Sequence, residues 1–203
     1  MIKEIVIATR NKDKKKEIEK LLSGLSVKVL SLYDFPSIPP IKENGATFEE
    51  NALTKASVCA VKTGKLSISD DSGLMVHSLN GAPGVYSARF AGKNVTYDDN
   101  NRKLLMLLKS KPRSRRRARF VCCIAIVTPE GKKRIVKGTS SGIIAECVRG
   151  KHGFGYDPLF IPDGFSKTFA ELGEKIKNKV SHRGRALRKA KKIISGYFEE
   201  SYL

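Results

Sequence analysis

Residues 69–74 read Ser-Asp-Asp-Ser-Gly-Leu and follow a short apolar stretch, residues 66–69. Two carboxylates at a strand end are costly to bury unless they are solvated or metal-bound. Mg2+ is held by one or two carboxylates together with waters and substrate phosphates. Asp70 and Asp71 are therefore candidates for metal-assisted phosphate chemistry. If the segment is extended, the two side chains face opposite ways, and only one of them reaches a metal. A solvated Asp-Asp-Ser-Gly turn accounts for these six residues equally well.

Three further segments carry chemistry-bearing residues. Thr9, Arg10, Asn11, Lys12, Asp13 and Lys14 stand where an apolar run hands over to a helical pattern. Backbone N–H groups and the helix dipole make such a junction an anion site. The glycines of a Walker A loop are absent, and a polar turn is the plain alternative. Gly153-Phe154-Gly155-Tyr156-Asp157-Pro158 sets an aromatic ring between two glycines, which suits stacking on a base. A hydrophobic plug in a tight turn is the alternative there. Ser181-His182-Arg183-Gly184 could hydrogen-bond a purine edge or a phosphate, although a solvated His-Arg pair is commoner. An anion turn, carboxylates, a stacking ring and polar readers are together the parts of a nucleotide site.

The elements that must position these residues follow from apolar spacing. A buried strand is expected over residues 3–8 and a helix over 12–22, striped by Ile18, Leu21 and Leu22. A second strand is expected over 27–32, then a proline-bearing loop over 34–44. Thr47 and Glu50 form a capping-box pattern. The helix behind it carries Phe48, Ala52, Ala56, Cys59 and Ala60 on one face. A turn is expected at 81–84, a helix over 97–108 and a long strand over 118–127. Two more strands are expected over 133–138 and 141–147, with irregular chain over 160–166. The last helix is expected from near Ser181 to about Ser201. This order of elements indicates an α/β protein with a mixed sheet.

The chain has 203 residues, 40% hydrophobic and 29% charged. That composition predicts one globular domain, 1–203. The four cysteines match no zinc spacing and read as buried thiols of a reducing cytosol. No signal-peptide pattern opens the chain, and no apolar stretch approaches the roughly 20 residues of a membrane span. A cytoplasmic location is expected. The net charge of +19 favours polyanionic partners, nucleoside triphosphates and nucleic acids alike.

The segments, in this order, resemble the inosine/xanthosine triphosphate pyrophosphatase family. The resemblance runs over nearly the whole chain. It rests on Thr9-x-Asn11-x-x-Lys14-x-x-Glu17, Thr47-Phe48-Glu49-Glu50-Asn51-Ala52-Leu53-x-Lys55-Ala56, Asp70-Asp71-Ser72-Gly73-Leu74, the stretch Gly81 to Phe90, Phe154-Gly155-Tyr156-Asp157-Pro158 and Ser181-His182-Arg183-Gly184. It implies an elongated mixed β-sheet with flanking helices, forming two lobes around a nucleotide cleft. It implies a Mg2+-dependent hydrolase, usually a homodimer. Such an enzyme cuts ITP, dITP and XTP to the monophosphate and pyrophosphate and so cleanses the nucleotide pool. By the same resemblance Thr9, Arg10, Asn11, Lys12, Asp13 and Lys14 cradle the triphosphate, and Ser72 touches a phosphate. Glu43 and Asp71 hold the metal, and Asp71 is also the proton acceptor. Phe154, Gly155, Tyr156 and Asp157 frame the base, with Lys177, His182 and Arg183 completing the substrate contacts.

Two positions depart from the family pattern. His77 stands where an acidic residue is common, and Arg10 where a small residue is frequent. The side chain of Arg10 is expected to point to solvent or to add a phosphate contact.

The basic residues cluster, six of nine in 111–119 and six of ten in 183–192. Such runs can bind nucleic acid, but they lack interleaved aromatics. At most weak, salt-sensitive binding is expected of them. An enzyme acting on modified pyrimidine triphosphates is a closer rival, and Ser181-His182-Arg183 argues against it.

Overall fold

The structure, a computed structural model, describes residues 3–200; the side chains of Leu21 and Glu200 lie outside that description, as does the expected helix end at Ser201. Strand β1 (Glu4–Ile7) is apolar from Ile5 to Ile7, and all three residues are fully buried. Burial on both faces is what a central parallel strand demands. Accordingly β1 pairs in parallel with β2 (Lys28–Ser31) on one side and β3 (Leu66–Val76) on the other. Helix α1 (Lys12–Leu22) connects β1 to β2, and α2 (Phe48–Thr63) leads from β2 towards β3. The expected capping box starts α2: Thr47 Oγ1 accepts from Glu50 N, and the Glu50 carboxylate accepts from Thr47 N. Helix α3 (Tyr97–Leu107) precedes β4 (Arg117–Val127), β5 (Lys133–Ile144) and β6 (Phe160–Pro162). The chain closes with α4 (Phe169–Val180) and α5 (His182–Glu200). The strand order is β2-β1-β3-β4-β5-β6, and β5 pairs antiparallel with β6. The sheet is therefore mixed, as expected for this α/β chain.

The chain forms two compact units. The first comprises the residues up to Asp71, Cys122–Gly138 and the residues from Ala186. Its core joins Ile5, Ile7, Ile68, Ile124 and Ile126 to Ile18 of α1 and Leu187 and Ile194 of α5. The second comprises Ser72–Val121 and Thr139–Arg185. Its core is aromatic, with Phe120, Phe160 and Phe169 in mutual contact beside Leu104, Leu108 and Tyr156.

Four elements differ from expectation. β3 does not stop at Asp70-Asp71 but continues through Ser72-Gly73-Leu74 to Val76. β5 is one strand of 12 residues where two were expected. Within it Gly142 permits close approach: a Cβ there would collide with the Ile161 carbonyl of β6. β6 and α4 occupy chain for which the pattern indicates no regular element. The apolar spacing of α4 is interrupted at Gly173, whose φ of 72° kinks the helix.

Candidate active site

In the first unit, the turn after β1 is organised by Asn11. Its Oδ1 accepts from the backbone N–H groups of Asp13 and Lys14, at 2.9 and 3.0 Å, which caps α1. Asn11 N in turn donates to Thr9 Oγ1. Two N–H groups of the expected anion turn are thus occupied by the cap. Arg10 is exposed, yet its Nη2 donates to the Ile38 carbonyl at 2.6 Å, so it braces the loop before α2 rather than pointing freely to solvent. Lys12 and Asp13 are exposed. Lys14 turns inward, and its Nζ lies 2.9 Å from Asp70 Oδ1.

Asp71 faces a different set of groups. Lys55 of α2 sits among them, with Nζ 2.6 Å from Glu43 Oε1, 2.9 Å from the Asp70 carbonyl and 3.8 Å from Asp71 Oδ1. Asn51, one helical turn earlier, donates from Nδ2 to Asp71 Oδ2 at 3.2 Å and is itself held by Gly45. Burial raises the Asp71 carboxyl above its ordinary pKa, while the charges of Lys55 and Lys14 pull the other way. A carboxylate of raised basicity beside a positive charge is suited to accept a proton.

The second unit builds a tight loop around Phe154. Asp157 Oδ2 accepts from Lys177 Nζ at 2.6 Å and from Phe154 N at 2.9 Å, and both charged side chains are buried. Gly153 has φ 79°, and a Cβ there would strike the Asp157 carboxylate. The Phe154 ring is half-buried, with Lys177 Nζ 4.8 Å and the Arg183 guanidinium carbon 5.4 Å from its centre. Two cations thus flank an aromatic ring, at distances where the ring quadrupole attracts them. Arg183 also donates to Ser72 Oγ at 2.8 Å. His182 is buried and stacks on Phe120 at 4.4 Å with planes 6° apart. The solvated alternative for His182-Arg183 is therefore excluded. Tyr156 packs in the aromatic core and donates its hydroxyl to the Ser87 carbonyl at 2.9 Å, so its ring anchors the loop. His77 is exposed in a short helical turn, residues 77–79, after β3.

A profile of the Ham1 family matches residues 5–193. The chain belongs to the Ham1 family. It is 52% identical over 183 residues to a dITP/XTP pyrophosphatase of Geobacter sulfurreducens, covering 90% of this chain and 92% of the relative. It is 47% identical over 199 residues to a dITP/XTP pyrophosphatase of Bacillus cereus, covering 97% of each. Among solved structures it is similar to a HAM1 protein from Coxiella burnetii, at TM-score 0.87 and 42% identity, covering 97% of this chain and 100% of the other. A nucleoside-triphosphatase / dITP/XTP pyrophosphatase from Mycobacterium abscessus is similar at TM-score 0.76 and 44% identity, covering 92% of this chain and 98% of that one.

The donor set of this Ham1 chain is one of hard oxygen ligands. Among the described residues, no group of three or more His, Cys, Asp or Glu side chains is placed to hold an ion alone. Two carboxylates that share one ammonium are, however, a hard-oxygen pair with a cation between them. That pair fits Mg2+, which completes its shell with water and substrate oxygens. Glu43 and Asp71 would hold it.

Asn51 and Lys55 stand within the Thr47–Ala56 motif, which by itself assigns neither of them to the site. The signal was present: both are polar, one turn apart, on the same α2 face as buried Phe48, Ala52 and Ala56.

The basic runs serve structure in large part. Arg116 is buried and donates from Nε, Nη1 and Nη2 to the carbonyls of Ile144, Leu108 and Ala145. Arg117 pairs with Asp163, and Arg185 and Lys189 donate to backbone carbonyls. No described helix is long and apolar enough to cross a membrane.

Proposed function

We propose that this chain hydrolyses non-canonical purine nucleoside triphosphates, ITP, dITP and XTP, to the monophosphate and pyrophosphate. The observation that carries the reading is the pair Glu43 and Asp71 sharing Lys55, in a chain whose relatives are named dITP/XTP pyrophosphatases. Residues 1–203 would act as one catalytic domain.

Lys14 and Lys55 offer positive charge to the phosphates, and Ser72 and Arg183 offer neutral and charged donors. Asp71 accepts the proton of the water that attacks the α-phosphorus, and pyrophosphate leaves in line. Bound Mg2+ would neutralise phosphate oxygens and polarise the phosphoryl group. Lys14 balances the charge that builds on the departing pyrophosphate. The Phe154 ring stacks on the base, with Lys177 and Arg183 close to the ring. A 6-oxo purine accepts a hydrogen bond where adenine donates one, and a buried donor left unpaired rejects the latter by about 10⁴-fold or more in favourable cases.

The family resemblance also implies a homodimer, which light scattering tests directly. A reducing, cytoplasmic setting agrees with four free cysteines, three of them buried. The deciding experiment incubates the protein with ITP, XTP, GTP, ATP and dTTP, with and without Mg2+, and identifies the products. Monophosphate and pyrophosphate, chiefly from ITP and XTP and only with metal, are expected. Diphosphate and orthophosphate would mean that a different bond is cut.

A further inference from the structure

Helix α3 carries two adjacent asparagines, Asn100 and Asn101, each 2% exposed. Buried amides of this kind are held only where they bond something specific. Asn100 bonds the segment that follows the 81–84 turn: its Nδ2 donates to the Ala88 carbonyl at 3.2 Å, and its Oδ1 accepts from Ala91 N at 2.7 Å. Asn101 Nδ2 donates to the Gly155 carbonyl at 3.0 Å, inside the Phe154 loop. Its Oδ1 is buried and has no hydrogen-bond partner. An unsatisfied buried acceptor costs about 1–3 kcal/mol. The one bond it makes to Gly155 contributes only about 0.5–1.5 kcal/mol net, which does not exceed that cost, so stability alone does not account for an amide at this position. One turn earlier on the same helix face, Tyr97 lies 5.9 Å from the Phe154 ring.

We infer that Asn101 is a positioning residue for purine selection. Through the Gly155 carbonyl it fixes the height of the loop on which the base stacks, and Tyr97 backs the ring from the same helix. Gly155 has φ 62° and open space around its Cβ position, so its own side does not restrain it. The loop has its other ties at Asp157 and at the Tyr156 hydroxyl. Asn101 is the tie from helix α3 to the residue that follows the stacking ring. This inference deepens the proposed function and rests on it.

The test compares wild type with Asn101→Leu, Asn101→Ser and Asn101→Gln in the full chain. It measures kcat and KM for ITP and ATP and the inhibition constant of inorganic tripolyphosphate, which has no base. In the Leu and Ser variants KM for ITP is expected to rise about tenfold with kcat within about twofold, the scale of one lost neutral hydrogen bond. The ITP-to-ATP ratio of kcat/KM is expected to fall by about the same factor, with tripolyphosphate inhibition held within about twofold. Gln, which keeps the amide donor, is expected to restore part of the ratio. A fall in kcat with an unchanged ITP-to-ATP ratio in both Leu and Ser variants would overturn the inference, as would an equal loss of tripolyphosphate affinity. Failure of the wild-type protein to release pyrophosphate from ITP would instead sink the underlying reading, and the inference with it.

Discussion

Asp70 and Asp71 are neighbours on β3 that answer to different lysines, Lys14 at 2.9 Å from the first and Lys55 at 3.8 Å from the second. The alternation of a strand produces this division, since consecutive side chains leave from opposite faces. Of the two, Asp71 shares its cation with Glu43, and the proposed function assigns Asp71 the metal and proton chemistry on that ground.

Asp71→Asn is expected to lower kcat for ITP by about 10²–10⁴-fold, the usual contribution of a positioned base. The same change is expected to stabilise the fold in EDTA. Burial raises the Asp71 pKa in the folded protein, so the folded state holds that proton more tightly than the unfolded chain does. The ionised carboxylate therefore weakens folding as pH rises through its unfolded pKa of about 4 towards the raised value, and the penalty persists at neutral pH. Asparagine removes it, and differential scanning calorimetry at pH 7 should show Tm higher by about 2–4 °C per kcal/mol recovered. A lower Tm would contradict this account.

Lys55→Met is expected to leave Glu43 and Asp71 facing each other without their cation. Asp71 is buried but Glu43 is 35% exposed, so the cost is set at about 2–3 kcal/mol, below that of a wholly buried pair. Titrating Mg2+ should raise Tm more in the variant than in wild type, because a bound cation replaces the lost charge. Equal shifts would argue against metal binding at these two carboxylates.

Phe154→Leu keeps apolar bulk but removes the stacking face. The KM for ITP is expected to rise by about 5–100-fold, as loss of about 1–3 kcal/mol of stacking implies. Inhibition by tripolyphosphate should not move, and inhibition assays in parallel would show whether the effect is confined to the base.

Arg116→Met is expected to destabilise the protein by about 3–5 kcal/mol, since three buried carbonyls lose their donors. Arg117→Met, beside it in sequence, removes a largely exposed pair with Asp163 and is expected to cost about 1 kcal/mol or less. Urea unfolding of both variants separates the two roles of one basic run.

Native thiol labelling should modify one cysteine per chain, the exposed Cys147. Burial pushes the Cys123 thiol up to about 12 and also raises Cys59. Neither forms thiolate at neutral pH, and reaction of either before unfolding would contradict the packing described.

Much of the site was legible because it lies on local patterns. Asn11, the Thr47–Glu50 box and the Phe154 loop each carry their geometry within a few residues. Lys55 showed a polar side chain on the buried face of α2 but not its partner Asp71, and Asn101 was not legible as a site residue, since its partner Gly155 is remote in sequence. Nor was α4, whose kink at Gly173 breaks the periodicity that marks a helix. The length of β3 was hidden for a related reason: Asp-Asp-Ser-Gly has turn composition, and only pairing within a sheet keeps it extended. Tyr156 showed the reverse case, a ring that reads as base-facing but belongs to the aromatic core.

The lysines of the first unit rest against the protein's own carboxylates, Lys14 on Asp70 and Lys55 on Glu43. Under the proposed function, an incoming triphosphate would compete with an internal counter-ion for each of them. Its affinity is the difference between two ion pairs rather than the whole of one. A phosphate trap of bare lysines would hold pyrophosphate as firmly as substrate. Here each lysine has a carboxylate to return to, which, under the proposed function, would favour departure of the cut product and ready the site for the next turnover.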